Sequence, residues 1–232
     1  MSDNKIREMK PIKFKTEITG KIHILSGIHI GGSGEANSIG GIDSPVIRTL
    51  RNGDLQPYLP GSSLRGKIRS LLEQTKGVEL GGSTEINSLF GFSNDNTISK
   101  LIVYDSFLSS KSEEQLRLSE HLDMPYTEEK VENTIDRISG TSEGGLRHIE
   151  RVPSGAEFEL RMMLTCEDEE DLNTQIKLLK KGMSILEKDY LGGNGSRGYG
   201  RVSFQDLKYV KYDLSSEEYY KAIEENDLII TE

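Results

Sequence analysis

Asp43 is the residue around which chemistry can be organised. It stands in Gly40-Gly41-Ile42-Asp43-Ser44-Pro45-Val46-Ile47, between a glycine pair and a proline, and Glu35 is the only other acid, histidine or cysteine within ten residues. A carboxylate this isolated cannot build an acid–base pair from its own surroundings. Any reaction it supports must draw on a metal ion, on the substrate or on another chain. The competing reading is structural: Asp-Ser-Pro favours an Asx-type turn, and on these residues alone that reading is the stronger. Asp105, Glu128, Glu132 and Glu150 are too dispersed for spacing to pair any two of them.

Three further groups carry potential chemistry. In GSSLRGKIRSLLEQ, residues 61–74, the apolar positions Leu64, Ile68, Leu71 and Leu72 give a helix one buried face. Ser62 or Ser63 is the expected N-cap. Arg65, Lys67 and Arg69 occupy its first turns with no acid before Glu73, against the helix dipole, so a negative group is expected nearby and a phosphate would serve. Gly193-Asn194-Gly195-Ser196-Arg197-Gly198 spells G-x-G-x-x-G. A dinucleotide motif, however, follows a strand and opens a helix, whereas this run follows a predicted helix and opens a predicted strand. It reads better as a loop whose amides approach a sugar-phosphate chain, with Arg197 and Arg201 supplying charge, than as a plain helix stop. His29 precedes the run Gly31-Gly32-Ser33-Gly34. A lone histidine there is more often structural than functional, and contact with a phosphate or base is the alternative.

The elements that must position these residues follow from periodicity. Ile12, Phe14, Thr16 and Ile18 alternate with polar residues, break at Gly20 and resume through Ile22, Ile24 and Ile28, the pattern of a half-buried strand with a bulge. A long loop is expected over 31–60, containing an Asn52-Gly53 turn, and a second loop region over 77–96. Strands are expected at Leu101–Tyr104, at Phe158–Leu164 and from Val202, with a polar helix near Ser112–Glu120. The clearest helix runs from Asp168 to Tyr190, with an acidic start and a stripe of Leu172, Ile176, Leu179, Met183 and Leu186. Residues 126–151 are poor in large apolar groups and predict an arm or hairpin outside the core. The acidic tail with Tyr219, Tyr220 and Ile223 predicts a terminal helix. This order is α+β, close to the βαββαβ unit of the ferredoxin-like fold with insertions.

Composition narrows the partners. Of 232 residues, 34% are hydrophobic and 29% charged, as in a globular chain. One cysteine, Cys166, precludes an internal disulfide and fits a reducing cytoplasm. The start of the chain lacks the apolar core of a signal sequence, and no apolar run approaches the roughly 20 residues of a membrane helix, so no membrane partner is expected. A net charge of −9 argues against nucleic acid, but the average hides a segregation. Residues 1–75 hold eleven Lys and Arg against seven Asp and Glu, while 206–232 hold three against eight. One basic face on an acidic molecule is consistent with both.

Taken together, HIGGSGEANSIGGIDSPVIR, LPGSSLRGKIRSLL, YTEEKVENTIDRISG, RHIERVPSGAEF and LEKDYLGGNGSRGYGRV resemble the signature segments of the backbone subunit of type III-A CRISPR interference (Csm) complexes, a RAMP protein. The resemblance spans roughly residues 12–207, in the family's order. It implies one RAMP-type domain over 1–232, with an RNA-recognition-motif-like palm and a thumb hairpin at about 126–151. It also implies a subunit that polymerises along CRISPR guide RNA with other Csm subunits and cuts a complementary single-stranded target RNA at regular intervals.

By motif position Asp43 is the implied catalytic residue and ligand of a divalent cation, Mg²⁺ being expected. The implied RNA-binding residues are His29, Gly31 and Gly32; Arg65, Lys67 and Arg69; Arg137 and Arg147 of the thumb; and Gly193, Gly195, Arg197 and Gly198. Gly144-Gly145-Leu146-Arg147 departs from the family's Asn-Pro-Arg, so Arg147 keeps the charge without the stiffness. Two other functions stay open: a guide-binding filament subunit that does not cut, and a metal-independent ribonuclease that processes precursor RNA, using a general base and acid such as His29 with another histidine.

Overall fold

A computed structural model of the chain describes residues 11–32, 42–142, 145–219 and 221–230. Residues 1–10, Ser33-Gly34, Glu35, Gly40-Gly41, Gly144 and Tyr220, which figure in the expectations above, lie outside the described residues.

The central strand is β1, Phe14–Ile24, whose Phe14, Thr16, Ile18, Ile22 and Ile24 are buried as the alternation predicts. It pairs antiparallel with β8, Glu157–Cys166, on one side and β9, Val202–Asp213, on the other. The register with β9 shifts between Thr19 and Lys21, at the expected break. A side chain at Gly20 would stand 2.6 Å from Leu207 Cδ2 and 2.9 Å from Gln205 O, so the bulge requires glycine. The short β4, Leu101–Val103, joins β8, and β10, Ala222–Asp227, joins β9, giving the order β10-β9-β1-β8-β4.

Helices α1, Gly61–Lys76, and α4, Glu169–Glu187, close over the buried side of this sheet. They approach each other at Gly182, where a Cβ would lie 2.5 Å from Ile68 Cγ2. Leu64, Ile68, Leu72, Leu179, Met183 and Leu186 join the sheet's inward residues in one core. Each fully buried aliphatic side chain there contributes about 1.5–3 kcal/mol by leaving water. The outer side is polar and internally paired, with Arg161 on Glu17 at 2.5 Å and Lys21 within 3.6–3.8 Å of Asp206 and Glu157.

Several elements differ from expectation. Part of the 31–60 loop is a hairpin, β2 Arg48–Arg51 and β3 Asp54–Leu59, turning on Asn52-Gly53 with φ of 52° and 88°. Positive φ at both central residues is the type I′ geometry that matches strand twist, and Asn-Gly supplies it without strain. The 77–96 region holds a seven-residue helix, α2, Thr84–Phe90, capped by Ser83. The tail is strand β10 rather than a helix, because β9 offers it a free edge. The N-cap of α1 is Pro60 rather than Ser62 or Ser63, without a side-chain cap. The remaining elements are β5, Ser106–Phe107, paired with β3; α3, Ser110–Arg117; and the hairpin β6, Glu128–Glu132, with β7, Arg147–Arg151. This last hairpin lies within the 126–151 stretch.

Candidate nucleic-acid interface

The Asp43 segment lies alongside β7 of the β6–β7 hairpin. Ser44 forms a parallel bridge with Ile149. Asp43 N–H donates to His148 O at 3.0 Å, and the His148 N–H donates to Asp43 Oδ2 at 2.8 Å. One carboxylate oxygen is thus fixed by the backbone. Among the described residues Oδ1 accepts no hydrogen bond, and the residue is exposed. The Asx-turn reading does not describe this geometry, since the carboxylate reaches across to β7 rather than back to its own turn.

Glu150 fixes the segment from beneath. It is 2% exposed and accepts from Val46 N–H at 2.8 Å, from Thr127 Oγ1 at 2.6 Å and from the Arg48 guanidinium. A buried carboxylate needs such a full set of donors, and this one ties the Asp43 loop to both strands of the hairpin. His29 continues the network, its Nδ1 lying 2.7 Å from Glu150 O. A carbonyl only accepts, so Nδ1 carries the proton. The His29 carbonyl in turn accepts from Gly193 N–H at 2.8 Å. His29 is therefore a junction between β1, the hairpin root and the glycine loop. Gly31 and Gly32 bring the chain against Val46 and Ile47: Gly31 bridges Val46, and a Cβ at Gly32 would stand 2.9 Å from Ile47 Cα.

The glycine loop is set by packing. Gly192 has φ +86°, and a Cβ there would sit 2.3 Å from His29 O. The amides of Gly193 and Gly198 donate to His29 O and Gly195 O, so they are used inside the protein rather than offered to a phosphate, and a Cβ at Gly195 would meet the Tyr190 ring. What the loop presents outward is Arg197. The guanidinium reaches Glu132 Oε2 at 3.3 Å, and buried Tyr199 donates to Glu132 Oε1 at 2.9 Å. Burial and the bond to Glu132 push the Tyr199 hydroxyl up to about 12. Burial would raise Glu132 as well, but its bonds from Tyr199 and Lys130 outweigh that and hold it below the usual carboxylate range. Glu132 thus latches the loop to the hairpin.

Above this latch lies an open cleft of about 430 Å³ whose walls include Lys130, Arg137, Arg147 and Arg197. Four cations from two separate segments converge there, a suitable cradle for phosphates. The cations of α1 are placed differently. Arg65 donates to Phe90 O, and Arg69 binds Glu73 at 3.0 Å, Gly91 O at 2.9 Å and Asn87 at 3.2 Å. Lys67 pairs with Asp189 at 2.9 Å, over the Tyr190 ring. The anion expected at the start of α1 is Asp105, whose Oδ1 accepts from Gly61 N–H at 2.8 Å. These side chains clamp α2 and the α4 end onto α1.

Two participants are not legible from spacing. Glu150 is one of four dispersed acids in the sequence, and nothing around His148 singles it out. The His148 imidazole Nδ1 contacts Glu129 across the hairpin, beside Asp43. Only the strand pairing brings these together. Among the described residues no cluster of three or more His, Cys, Asp or Glu side chains forms a metal site, so the site offers a cation one carboxylate.

Residues 21–203 match the RAMP superfamily. The chain is 40% identical over 228 residues to a Methanocaldococcus jannaschii protein named CRISPR system Cms endoribonuclease Csm3, the match covering 92% of this chain and 86% of that protein. An Enterococcus italicus protein of the same name is 41% identical over 198 residues, 82% of this chain and 89% of that one. The fold is similar to that of a chain in the crystal structure of the Csm3-Csm4 subcomplex in the type III-A CRISPR-Cas interference complex. The TM-score is 0.59 at 29% identity, covering 94% of this chain and 91% of that chain.

Proposed function

Because this chain belongs to the RAMP superfamily, and within it to the Csm3 backbone subunits of type III-A Csm complexes, we propose that it binds CRISPR guide RNA and cuts complementary single-stranded target RNA at Asp43. It is an endoribonuclease and a backbone subunit of such a complex. The finer reading takes the chain as one RAMP-type domain over 1–232, with a ferredoxin-like, RNA-recognition-motif-like palm and a thumb at 126–151. The strand order β9-β1-β8-β4 with α1 and α4 on one side supports the palm. Further copies of itself, other Csm subunits and a cytoplasmic setting belong to the same reading. Among the described residues no helix is long and apolar enough to cross a membrane.

The observation that carries the proposal is the placement of the Asp43 carboxylate: exposed, pinned through Oδ2 by the thumb-root N–H of His148, with Oδ1 open. Mg²⁺ is commonly held by one or two carboxylates plus substrate phosphates and water, and a single carboxylate beside an RNA-binding cleft fits that pattern. Asp43 would hold the ion, which supplies neutralisation of charge on the scissile phosphate. The protein's own residues do the rest. Arg137, Arg147 and Arg197 bind flanking phosphates, and Glu150, Arg48 and His148 keep Asp43 from moving. The thumb distorts the target so that a ribose 2′-hydroxyl lines up with the adjacent phosphorus. Attack by O2′ then forms the O2′–P bond as the P–O5′ bond breaks, the 2′-hydroxyl proton passing to water and the departing O5′ taking one from water, which leaves a 2′,3′-cyclic phosphate and a 5′-hydroxyl.

Metal dependence is tested by treating the assembled wild-type complex with excess chelator and then restoring Mg²⁺. Cleavage is expected to stop and return while guide RNA stays bound. Undiminished cleavage in chelator would favour the metal-independent mechanism.

A further inference from the structure

The four cations of the cleft above the glycine loop suit phosphates, but one member of its wall does not. Glu132 lines the same cleft as Lys130, Arg137, Arg147 and Arg197. A carboxylate repels a neighbouring phosphate, so a surface shaped for phosphate alone would not carry one. Glu132 also serves the fold by receiving the Tyr199 hydroxyl, and that bond occupies Oε1.

The fold needs only that one oxygen. Lys130 adds a second contact to Oε1 at 3.4 Å, whereas Oε2 has the Arg197 guanidinium at 3.3 Å. Tyr199 is buried and the Arg197 side chain is 45% exposed on the cleft wall, so Oε1 faces the core and Oε2 the cleft. A carboxylate oxygen has about two acceptor positions, which leaves Oε2 with one to spare. The other side-chain acceptors of the cleft are engaged: Asn133 Oδ1 accepts from Ser142 Oγ at 2.8 Å, and Thr134 Oγ1 accepts from Arg147 at 3.1 Å. The bonds from Tyr199 and Lys130 keep Glu132 ionised, so it accepts and never donates.

The cleft thus offers one charged acceptor set among donors for phosphate. Its ligand must bring anionic groups with a hydrogen-bond donor between them. An RNA backbone does so at every step, because a ribose 2′-hydroxyl stands between successive phosphates, and DNA lacks it. Base amines donate as well, but they change with sequence, whereas cations of this kind hold the backbone common to all sequences.

We propose that Glu132 Oε2 accepts a hydrogen bond from a ribose 2′-hydroxyl of RNA bound in this cleft, with Arg197 on the adjacent phosphate, and that this contact makes the cleft prefer RNA to DNA. The inference rests on the reading of the chain as an RNA-binding subunit, and deepens it from attraction by charge to recognition of the sugar.

The test uses complex reconstituted on synthetic RNA in which one nucleotide at a time carries 2′-fluoro in place of the 2′-hydroxyl, in the guide in one series and in the target in another. Fluorine preserves the A-form sugar pucker and removes the donor. Equilibrium binding is measured, so positions beside the scissile bond are read as well. With the wild-type chain, a position in one of the two strands is expected to lose affinity roughly tenfold, the scale of a hydrogen bond to a charged group. The strand that shows the loss is the one this cleft holds. In Glu132→Ala the same fluorine should change affinity less than about twofold, while losses at other positions persist. Glu132→Gln keeps an acceptor for Tyr199 and serves if the alanine variant does not assemble; there the loss should shrink to about threefold. Equal affinity at every fluorinated position, or a loss unchanged by the Glu132 variants, would overturn the proposal alone. Wild-type complex that binds no RNA would overturn the functional reading and this inference with it.

Discussion

Asp43 gains its standing from residues far away in sequence. Its own neighbours predict a turn, and the β7 N–H of His148 and the buried Glu150 make it a fixed, outward carboxylate. Sequence spacing could not join Glu150 to Val46, because their contact depends on the β6–β7 hairpin folding back on the loop. Glu150→Ala would leave the Arg48 guanidinium and the Val46 N–H without their acceptor. We expect a loss of about 2–3 kcal/mol in denaturant unfolding, and a smaller loss for Glu150→Gln. Equal stability of Glu150→Ala and wild type would contradict the network. The Tyr199–Glu132 latch makes a prediction in pH. Burial and the bond to Glu132 raise the folded-state pKa of Tyr199 from 10.0 to about 12. Its contribution is therefore intact below pH ~10 and fades as pH rises toward ~12. Stability measured across that window should fall less steeply in Tyr199→Phe than in wild type.

At the scale of elements, the long periodic segments were legible and the short ones were not. β1, α1, β8 and α4 announce themselves because each buries a face that repeats at the strand or helix period over ten or more residues. α2 has seven residues between glycines and too little length for a period to show. β10 is rich in Glu and Asp and has little strand propensity of its own; the open edge of β9 and the bonds of Lys211 to Glu224 at 2.6 Å and Glu169 at 2.8 Å hold it. The basic start of α1 needs a negative partner, as its residue types imply, and Asp105 supplies it from another segment. Arg69 and the hairpin residue Arg147 should accordingly separate in experiment. Arg69→Ala is expected to lower the melting temperature, since it deprives Glu73, Asn87 and Gly91 of their donor. Arg147→Ala should leave melting unchanged and lower RNA retention, reducing the salt-dependence slope by about 0.7 for each phosphate that is no longer neutralised. The reverse pattern would move guide binding from the thumb cleft to α1.

For the whole molecule, a net charge of −9 coexists with a cleft walled by Lys130, Arg137, Arg147 and Arg197 because the charges are sorted by place. Cations converge from the β6–β7 hairpin and the glycine loop, ion pairs cross the outer sheet face, and acids crowd the amino end of α4. A sum over the sequence cannot express that arrangement, whereas the order of recognisable segments along the chain could. The proposed function requires Asp43 for cutting and not for assembly. The most direct measurement is target-RNA cleavage by complex carrying Asp43→Ala, with guide RNA and copy number quantified in the same sample. The expected result is full assembly and guide content with cleavage reduced roughly 10²-fold or more, the scale of losing the metal's charge stabilisation. Cleavage at the wild-type rate in that complex would contradict it and leave the chain a guide-binding scaffold.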